Sequence, residues 1–519
     1  MKERSRTTNS IINVIVSLGS QLLLTALQFV YRTVFVQTLG TPYLGINGLF
    51  TNILMMLSLT ELGLDTAITY KLYKPLAEKD TRRLQILMKF YRFAYLVIGI
   101  SILFIGLCLI PFLPTLIKDY NTLGPLGIDP ILIYLLNLIQ TVTSYLFFAS
   151  KSAILKADQK IYISTIIEFW ATVILNIVQI VTLILYRNFV LNTTLGLGTT
   201  VIANVFIAFI AIKKYPEVFK RTEERLSKEE IKDIFKDLGA LFVYRVNNVV
   251  IKATDNIVLS AFIGISTVGL YSNYLLFYTT INSIGDRILT SVKASVGNFF
   301  AIESTEKKYS MFQIMNYITF ILYGTAAVGV AVCADALIEV WIGIDYVITT
   351  PFSILIGIEI LFHGIKGNLG QIRNVSGIFR QMWYRPVIGI VINIGVSIAL
   401  VNVCGIYGVI IGTICSDVLA NFMIDPSIIY RYCFNNVKPV SHYYIDYFKY
   451  ISLLICIGIG DLSLCNLIVP NNTWLSVIIR ILICAISTPT VFAIVFRKRH
   501  ENQYIMTKVY NIIRKVFKR

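Results

Sequence analysis

Charge is scarce in this sequence. Asp, Glu, Lys and Arg make up 14% of its 519 residues, while 56% are hydrophobic. A soluble domain carries about 25% charged residues to keep its surface wet. A chain this long with so little polar cover cannot present a water-facing surface, which excludes a string of soluble domains and points to one bundle in lipid. Histidine is scarcer still, with only His363, His442 and His500, so a histidine-built metal site is not expected. Acidic residues are outnumbered 29 to 46, for a net charge of +17. The basic residues lie in short tracts between apolar runs and form no separate domain, which is the ordinary outcome of membrane insertion and not a nucleic-acid footprint. Eight cysteines (Cys108, Cys333, Cys404, Cys415, Cys433, Cys456, Cys465 and Cys484) include no CxxC pair and read as small apolar fillers. There is no G-x-x-x-x-G-K-[ST] loop, so the chain is not expected to consume ATP itself.

What the sequence does contain is long apolar runs. A bilayer-spanning helix needs about 20 largely apolar residues. Such runs lie near 11–37, 43–70, 90–114, 130–150, 162–186, 190–212, 240–263, 268–292, 312–333, 348–366, 384–403, 406–428, 447–468 and 474–496. The first has no small-residue cleavage site and is too long for a signal-peptide core, so a retained helix is expected. With a cytosolic N-terminus, 41 basic residues fall in inner segments and three (Arg32, Lys118, Arg187) in outer ones, leaving Lys252 and Arg480 inside spans. One missed or invented helix would invert every later loop and destroy this asymmetry. The expected fold is an all-α polytopic membrane protein of about 14 helices with both termini cytosolic.

The expected divisions are an N-lobe over 1–213, a cytosolic amphipathic connector over 214–239, a C-lobe over 240–430, two added spans over 431–496 and a basic tail over 497–519. In the connector, Ser227-Lys228-Glu229-Glu230 reads as a capping box. Ile231, Ile234, Phe235 and Leu238 then share a face, and Gly239 suits a helix stop. The halves show faint self-similarity. Leu39-Gly40-Thr41-Pro42-Tyr43-Leu44-Gly45-Ile46 matches Ile263-Gly264-Ile265-Ser266-Thr267-Val268-Gly269-Leu270, and Gly198-Thr199 matches Gly412-Thr413. A repeated six-span unit re-enters the cytosol where it began, so the two pseudo-symmetric lobes are expected to be related by an axis along the membrane normal.

A charge at a helix centre costs about 2.5–3.5 kcal/mol on insertion scales and needs a partner, a wet cavity or a task. In span 1, Asn13, Ser17, Gln21, Gln28 and Arg32 share a sector; in span 2, Asn47, Thr51, Ser58, Glu61, Asp65 and Thr69 form a narrow stripe. Span 7 carries Arg245, Asn248, Lys252, Asp255 and Asn256, and span 8 carries Ser272, Thr279, Ser283, Asp286, Arg287 and Thr290. The striped helices are the first two of each half, as expected if the duplicated unit encloses one central cavity. Stripes of this kind also serve as polar glue between helices. Arg32, Lys252 and Arg287 are the deepest cations, and in a partly wet chamber they suit a phosphate-bearing substrate. Glu61, Asp65, Asp255 and Asp286 are read as anchors for these cations, as a site for a coupling proton or sodium ion, or as acceptors of sugar hydroxyls. Glu168, Glu359, Asp417 and Arg480 are isolated and read as structural, as does His363 near Glu359.

The segments Tyr43-Leu44-Gly45-Ile46-Asn47-Gly48-Leu49-Phe50, Leu59-Thr60-Glu61-Leu62-Gly63 and Leu72-Tyr73-Lys74-Pro75-Leu76 resemble the polysaccharide-transporter (Wzx-like) flippases. So do Thr254-Asp255-Asn256-Ile257-Val258-Leu259-Ser260, Val268-Gly269-Leu270-Tyr271-Ser272-Asn273-Tyr274 and Ala294-Ser295-Val296-Gly297-Asn298. These flippases form a branch of the multidrug/oligosaccharidyl-lipid/polysaccharide exporter superfamily. The resemblance implies a two-lobed bundle in a bacterial plasma membrane that flips an undecaprenyl-pyrophosphate-linked oligosaccharide by alternating access, for capsule or exopolysaccharide synthesis. It implies functional cations at places comparable to Arg32, Lys252 and Arg287, with membrane lipids, a polysaccharide polymerase and glycosyltransferases as partners. A monomer with no cofactor is expected, driven by the membrane potential or by a proton or sodium gradient.

The rival readings are a flippase for a peptidoglycan or teichoic-acid precursor, a drug/cation antiporter, and an integral sugar polymerase or transferase. The last would need clustered outward carboxylates, for which only Asp335, Glu339 and Asp345 qualify.

Overall fold

The computed structural model describes residues 6–58, 64–378, 380–469 and 473–517; within them, the side chains of 6–18, 20–22, 64–67, 148–150, 235–245, 248, 291, 294, 380 and 509–517 are left aside. The described residues are helical with no strand. The main helices are α1 (Arg6–Leu39), α2 (Thr41–Leu57), α3 (Leu64–Glu78), α4 (Thr81–Leu109), α5 (Pro130–Thr143), α6 (Ala149–Ala157), α7 (Tyr162–Tyr186), α8 (Phe189–Lys214) and α9 (Lys228–Phe262). They continue as α10 (Ile265–Ile302), α11 (Thr305–Ile342), α12 (Thr350–Ser376), α13 (Arg385–Cys404), α14 (Ile406–Ser416), α15 (Ile424–Cys433), α16 (Ser441–Ile468), α17 (Trp474–Val495) and α18 (His500–Phe517).

Among the described residues ten helices are long and apolar enough to cross a membrane. They coincide with spans 3–6 and 9–14 of the sequence reading. The other four predicted spans fall on α1, on α2 with α3, on α9 and on α10, the helices that carry the polar stripes. The protein is an all-α, multi-pass membrane protein.

The chain divides into two compact units, Met1–Gly269 and Leu270–Arg519. In the first, α1 packs on α7 and α2, α8 bridges α7 and α5, α4 lies against α3 and α5, and α2 packs on α9. Short polar loops start these helices by capping orphan N–H groups. The Asp80 carboxylate accepts from Arg83 N, Asp129 from Ile131 N and Leu132 N, and Asn188 from Leu191 N. At the far end of α9, Lys118 Nζ donates to the Phe262 carbonyl at 2.8 Å, placing a cation on the negative end of the helix.

In the second unit, α11 packs on α12, α16 and α17, and α13 on α14. Lipid tails are as apolar as leucine, so helix association here rests on packing and ring geometry. Phe320, Tyr447, Tyr450 and Phe492 supply this on α11, α16 and α17, with ring centroids 5.3–6.0 Å apart.

One expectation needs revision. The capping box forms as read, with Ser227 Oγ accepting from Glu230 N at 3.1 Å and Glu230 Oε2 from Ser227 N at 2.9 Å. Gly239, however, does not stop the helix: α9 runs unbroken from Lys228 to Phe262, so connector and span 7 are one element. A mid-helix glycine costs about 1 kcal/mol, which continuation of the helix offsets. The stripe expected in span 2 from Asn47 to Thr69 falls on α2 and α3, with residues 59–63 between them outside the described residues.

The match between Leu39–Ile46 and Ile263–Leu270 reappears as geometry. Gly40 (φ +92°) and Gly264 (φ +138°) both take the left-handed backbone that glycine favours, one residue before α2 and α10 begin. A methyl group at Gly45 would overlap the Ile265 carbonyl oxygen, and one at Gly269 would overlap the Thr41 carbonyl oxygen. Each of the two segments presents its glycine to the other's helix start. The second match does not share this: Gly198 has open space around it, whereas Gly412 abuts Ser397.

Candidate functional site

In the first unit, α1 carries Gln28 exposed and, one turn on, Arg32 half-buried. Its neighbour Tyr31 accepts a hydrogen bond from Asn192 Nδ2 at 2.9 Å, tying α1 to α8. On α2, Asn47 and Thr51 are exposed, and Thr51 Oγ1 donates to the Asn47 carbonyl at 2.7 Å. The stripe predicted on α9 divides. Lys252 is exposed, whereas Asp255 and Asn256 are buried. The Asn256 amide nitrogen lies 3.6 Å from where a Cβ on Gly48 would sit, in the α2–α9 contact. Glu61 lies outside the described residues, as do the side chains of Asp65, Arg245 and Asn248.

In the second unit, α10 carries Ser283 and Arg287 half-buried and Asp286 exposed. Asp286 heads a cluster that the sequence did not reveal. His363 Nε2 lies 3.2 and 3.3 Å from its two oxygens, and Tyr323 Oη donates to Oδ1 at 3.4 Å. An ionised carboxylate only accepts, so the proton belongs on Nε2, and Nδ1 accepts from Tyr278 Oη at 3.3 Å. Tyr323 lies in a slot kept open by two glycines: a methyl group at Gly285 or Gly364 would run into it. His363, read from sequence as a lone histidine beside Glu359, is thus bonded to a residue 77 positions away.

Asp417, isolated in the sequence, is also partnered. Lys366 Nζ lies 3.0 Å from its carboxylate and Asn421 Nδ2 donates to it at 2.8 Å. Nearby, Arg385 and Arg373 hold the buried Asp425 at 3.2 and 3.7 Å. Asp417–Phe422 is a π-helical segment, a departure often found where a helix carries function.

Arg480 borders a cavity of about 610 Å³ together with Asp335, Glu339, Thr349, Thr350 and Asn466. Asp335 there accepts from Tyr274 Oη at 2.9 Å and Ser353 Oγ at 2.5 Å. Asp345, the third carboxylate of the candidate enzyme cluster, does not line it.

No family profile and no curated protein matches the sequence. Solved structures do match. One is a lipid II flippase MurJ in an inward closed conformation, with a TM-score of 0.66 and 14% identity, covering 93% of this chain and 99% of that one. Another is an inward-facing multidrug resistance MATE family transporter of the MOP superfamily, with a TM-score of 0.61 and 15% identity, covering 82% and 100%. The chain shares the fold of these transporters. At such identities the likeness extends to architecture alone. The MATE transporter is covered in full while part of this chain lies outside the match, as expected if the chain has helices beyond the shared set.

Proposed function

We propose that this protein is a flippase that carries an undecaprenyl-pyrophosphate-linked oligosaccharide from the cytosolic to the outer leaflet of a bacterial plasma membrane. In this reading it works by alternating access, both termini are cytosolic, and capsule or exopolysaccharide assembly is served. The observation that carries the reading is that three cations on helices of an otherwise apolar bundle reach its surface, Lys252 exposed and Arg32 and Arg287 half-buried. A cation facing lipid is costly, so such residues face water or a polar cargo. Guanidinium groups bind phosphate oxygens in a forked geometry, and lysine adds a point charge. Gln28 and Ser283, one turn from Arg32 and Arg287, and Asn47 on α2 serve in this reading as hydrogen-bonding partners for sugar hydroxyls. The polar head group travels along these faces while the polyprenyl tail stays in lipid. No cofactor is invoked. The partners are the enzymes that build the lipid-linked unit and the polymerase that consumes it.

The test is charge reversal in proteoliposomes loaded with a polyprenyl-pyrophosphate-linked saccharide. Arg32→Glu and Arg287→Glu are each expected to reduce flipping at least tenfold, with protein folding checked by thermal denaturation. Unchanged flipping by both variants defeats the assignment. A second reading, a flippase for a peptidoglycan precursor, is favoured by the structural likeness to MurJ over 93% of the chain. Offering lipid II and a repeat-unit lipid in separate vesicles separates the two, since the proposed flippase moves the second faster.

A further inference from the structure

We propose that the cavity lined by α11, α12, α16 and α17 is a binding site for a neutral saccharide, built from residues outside the cation set Arg32, Lys252 and Arg287. The four helices bring their ends together there. Asp335 and Glu339 lie in the last two turns of α11, Thr350 opens α12, Asn466 lies in the last turn of α16 and Arg480 in the second turn of α17. All belong to the second unit. The space of about 610 Å³ is within the usual range for small-ligand pockets.

The lining selects the class of ligand. An anion meets two carboxylates against one guanidinium. A metal ion meets the Arg480 charge, and among the described residues no group of three His, Cys, Asp or Glu side chains is placed to hold one. A ring bearing several hydroxyls suits the mixture, since each hydroxyl both donates and accepts. The carboxylates offer acceptors, the guanidinium donors, and Thr350 and Asn466 both. Hydrogen bonds to charged groups are also the stronger ones. Val332, Ala336, Pro351 and Leu462 add apolar surface for the C–H faces of the ring.

The principal acceptor is held in place by its neighbours. Tyr274 Oη and Ser353 Oγ both donate to Asp335 Oδ1, at 2.9 and 2.5 Å. Oδ2 takes no hydrogen bond from the described residues and is the oxygen open to a sugar hydroxyl. Tyr274 Oη also accepts from Ile348 N at 3.0 Å, and the Thr349 hydroxyl is bonded to that of Tyr407, which fixes the loop leading into α12. Arg480 Nη2 donates to the Val469 carbonyl at 3.1 Å, holding the guanidinium at the turn between α16 and α17. Exposed Thr349, Thr350 and Asn466 mark the mouth, and buried Val332, Ala336 and Arg480 the depth. The basic-residue asymmetry places this end of the helices outside the membrane, where a flipped sugar head group arrives. Binding of a free sugar does not depend on that direction.

The experiment titrates the full-length protein in lipid nanodiscs with the methyl glycosides of glucose, galactose and N-acetylglucosamine, followed by saturation-transfer NMR. Nanodiscs replace sugar-headed detergents, which would compete for the site. At least one glycoside is expected to bind. Asp335→Asn keeps an Oδ1 acceptor for Tyr274 and Ser353 while removing the charged acceptor at Oδ2, and is expected to weaken binding about tenfold. Asn466→Ala, at an exposed helix position, is expected to weaken it severalfold with thermal stability unchanged. Failure of all three glycosides to bind overturns the proposal. So does binding that both variants leave unaltered, which puts the sugar elsewhere. Neither result bears on the flippase reading, because these probes carry no phosphate and no lipid; the charge-reversal variants decide that separately.

Discussion

Glu230 shows how one side chain joins two levels of structure. Its Oε2 accepts from Ser227 N, completing the capping box that starts α9, while its Oε1 accepts from Arg83 of α4. The Arg83 hydrogen bond, and after it the Ser227 N–H, hold the Glu230 carboxyl below the usual carboxylate range. A carboxylate depressed in the folded state stabilises it above its unfolded value of about 4.3, and that contribution fades as pH falls through the folded value. Amide protection in the first turn of α9, with exchange corrected for its intrinsic pH dependence, is therefore expected to fall as pH drops below about 4. Glu230→Gln should show the faster exchange already at neutral pH, without that acid dependence. An exposed pair of this kind contributes modestly, so the change is local and the α-helical circular dichroism of the whole protein should not move.

At the scale of elements, α9 is the instructive case. Ser227 and Glu230 marked its start correctly because capping is a local hydrogen-bond requirement. Gly239 misled because its propensity cost is small against the hydrogen bonds of a helix carried through it. The result is a 35-residue rod that carries the connector into span 7. Spin labels at exposed positions 232 and 252 should report a narrow separation near 30 Å, from 1.5 Å rise per residue. A broad or much shorter distribution would mean a break at Gly239. The pairings of His363 with Asp286 and of Lys366 with Asp417 were out of reach from sequence. Their partners lie 77 and 51 residues apart, and no helical periodicity links positions on separate helices.

At the scale of the whole molecule, the places of the long apolar helices were legible because each crossing needs about 20 largely apolar residues. Each crossing must alternate the side on which lysine and arginine accumulate, and a count over many loops averages out local noise. The ten helices of Thr81–Leu116, Pro130–Phe147 and their successors fall on the apolar runs of the sequence. The candidate site was only partly legible. Helical phase placed Lys252, Asp255 and Asn256 on one face, but burial by α2 divides them. The same scale carries a prediction about energy. A pyrophosphate head group bearing two negative charges gains roughly 4–5 kcal/mol on moving outward against an inside-negative potential of about 100 mV. Collapsing the potential with proton and sodium gradients held fixed should slow flipping in vesicles markedly. An unaltered rate would leave Glu61 and Asp65, as ion-coupling residues, to account for the drive.

The reciprocal approach of Gly45 to Ile265 and of Gly269 to Thr41 bears on ancestry. It is the pattern of an isologous contact, in which a patch meets a copy of itself about a local two-fold. On the expectation that the halves repeat one six-span unit, a single precursor with this glycine would meet its twin through the same bare backbone surface. In this chain neither glycine can acquire a side chain without forcing the opposite helix start aside.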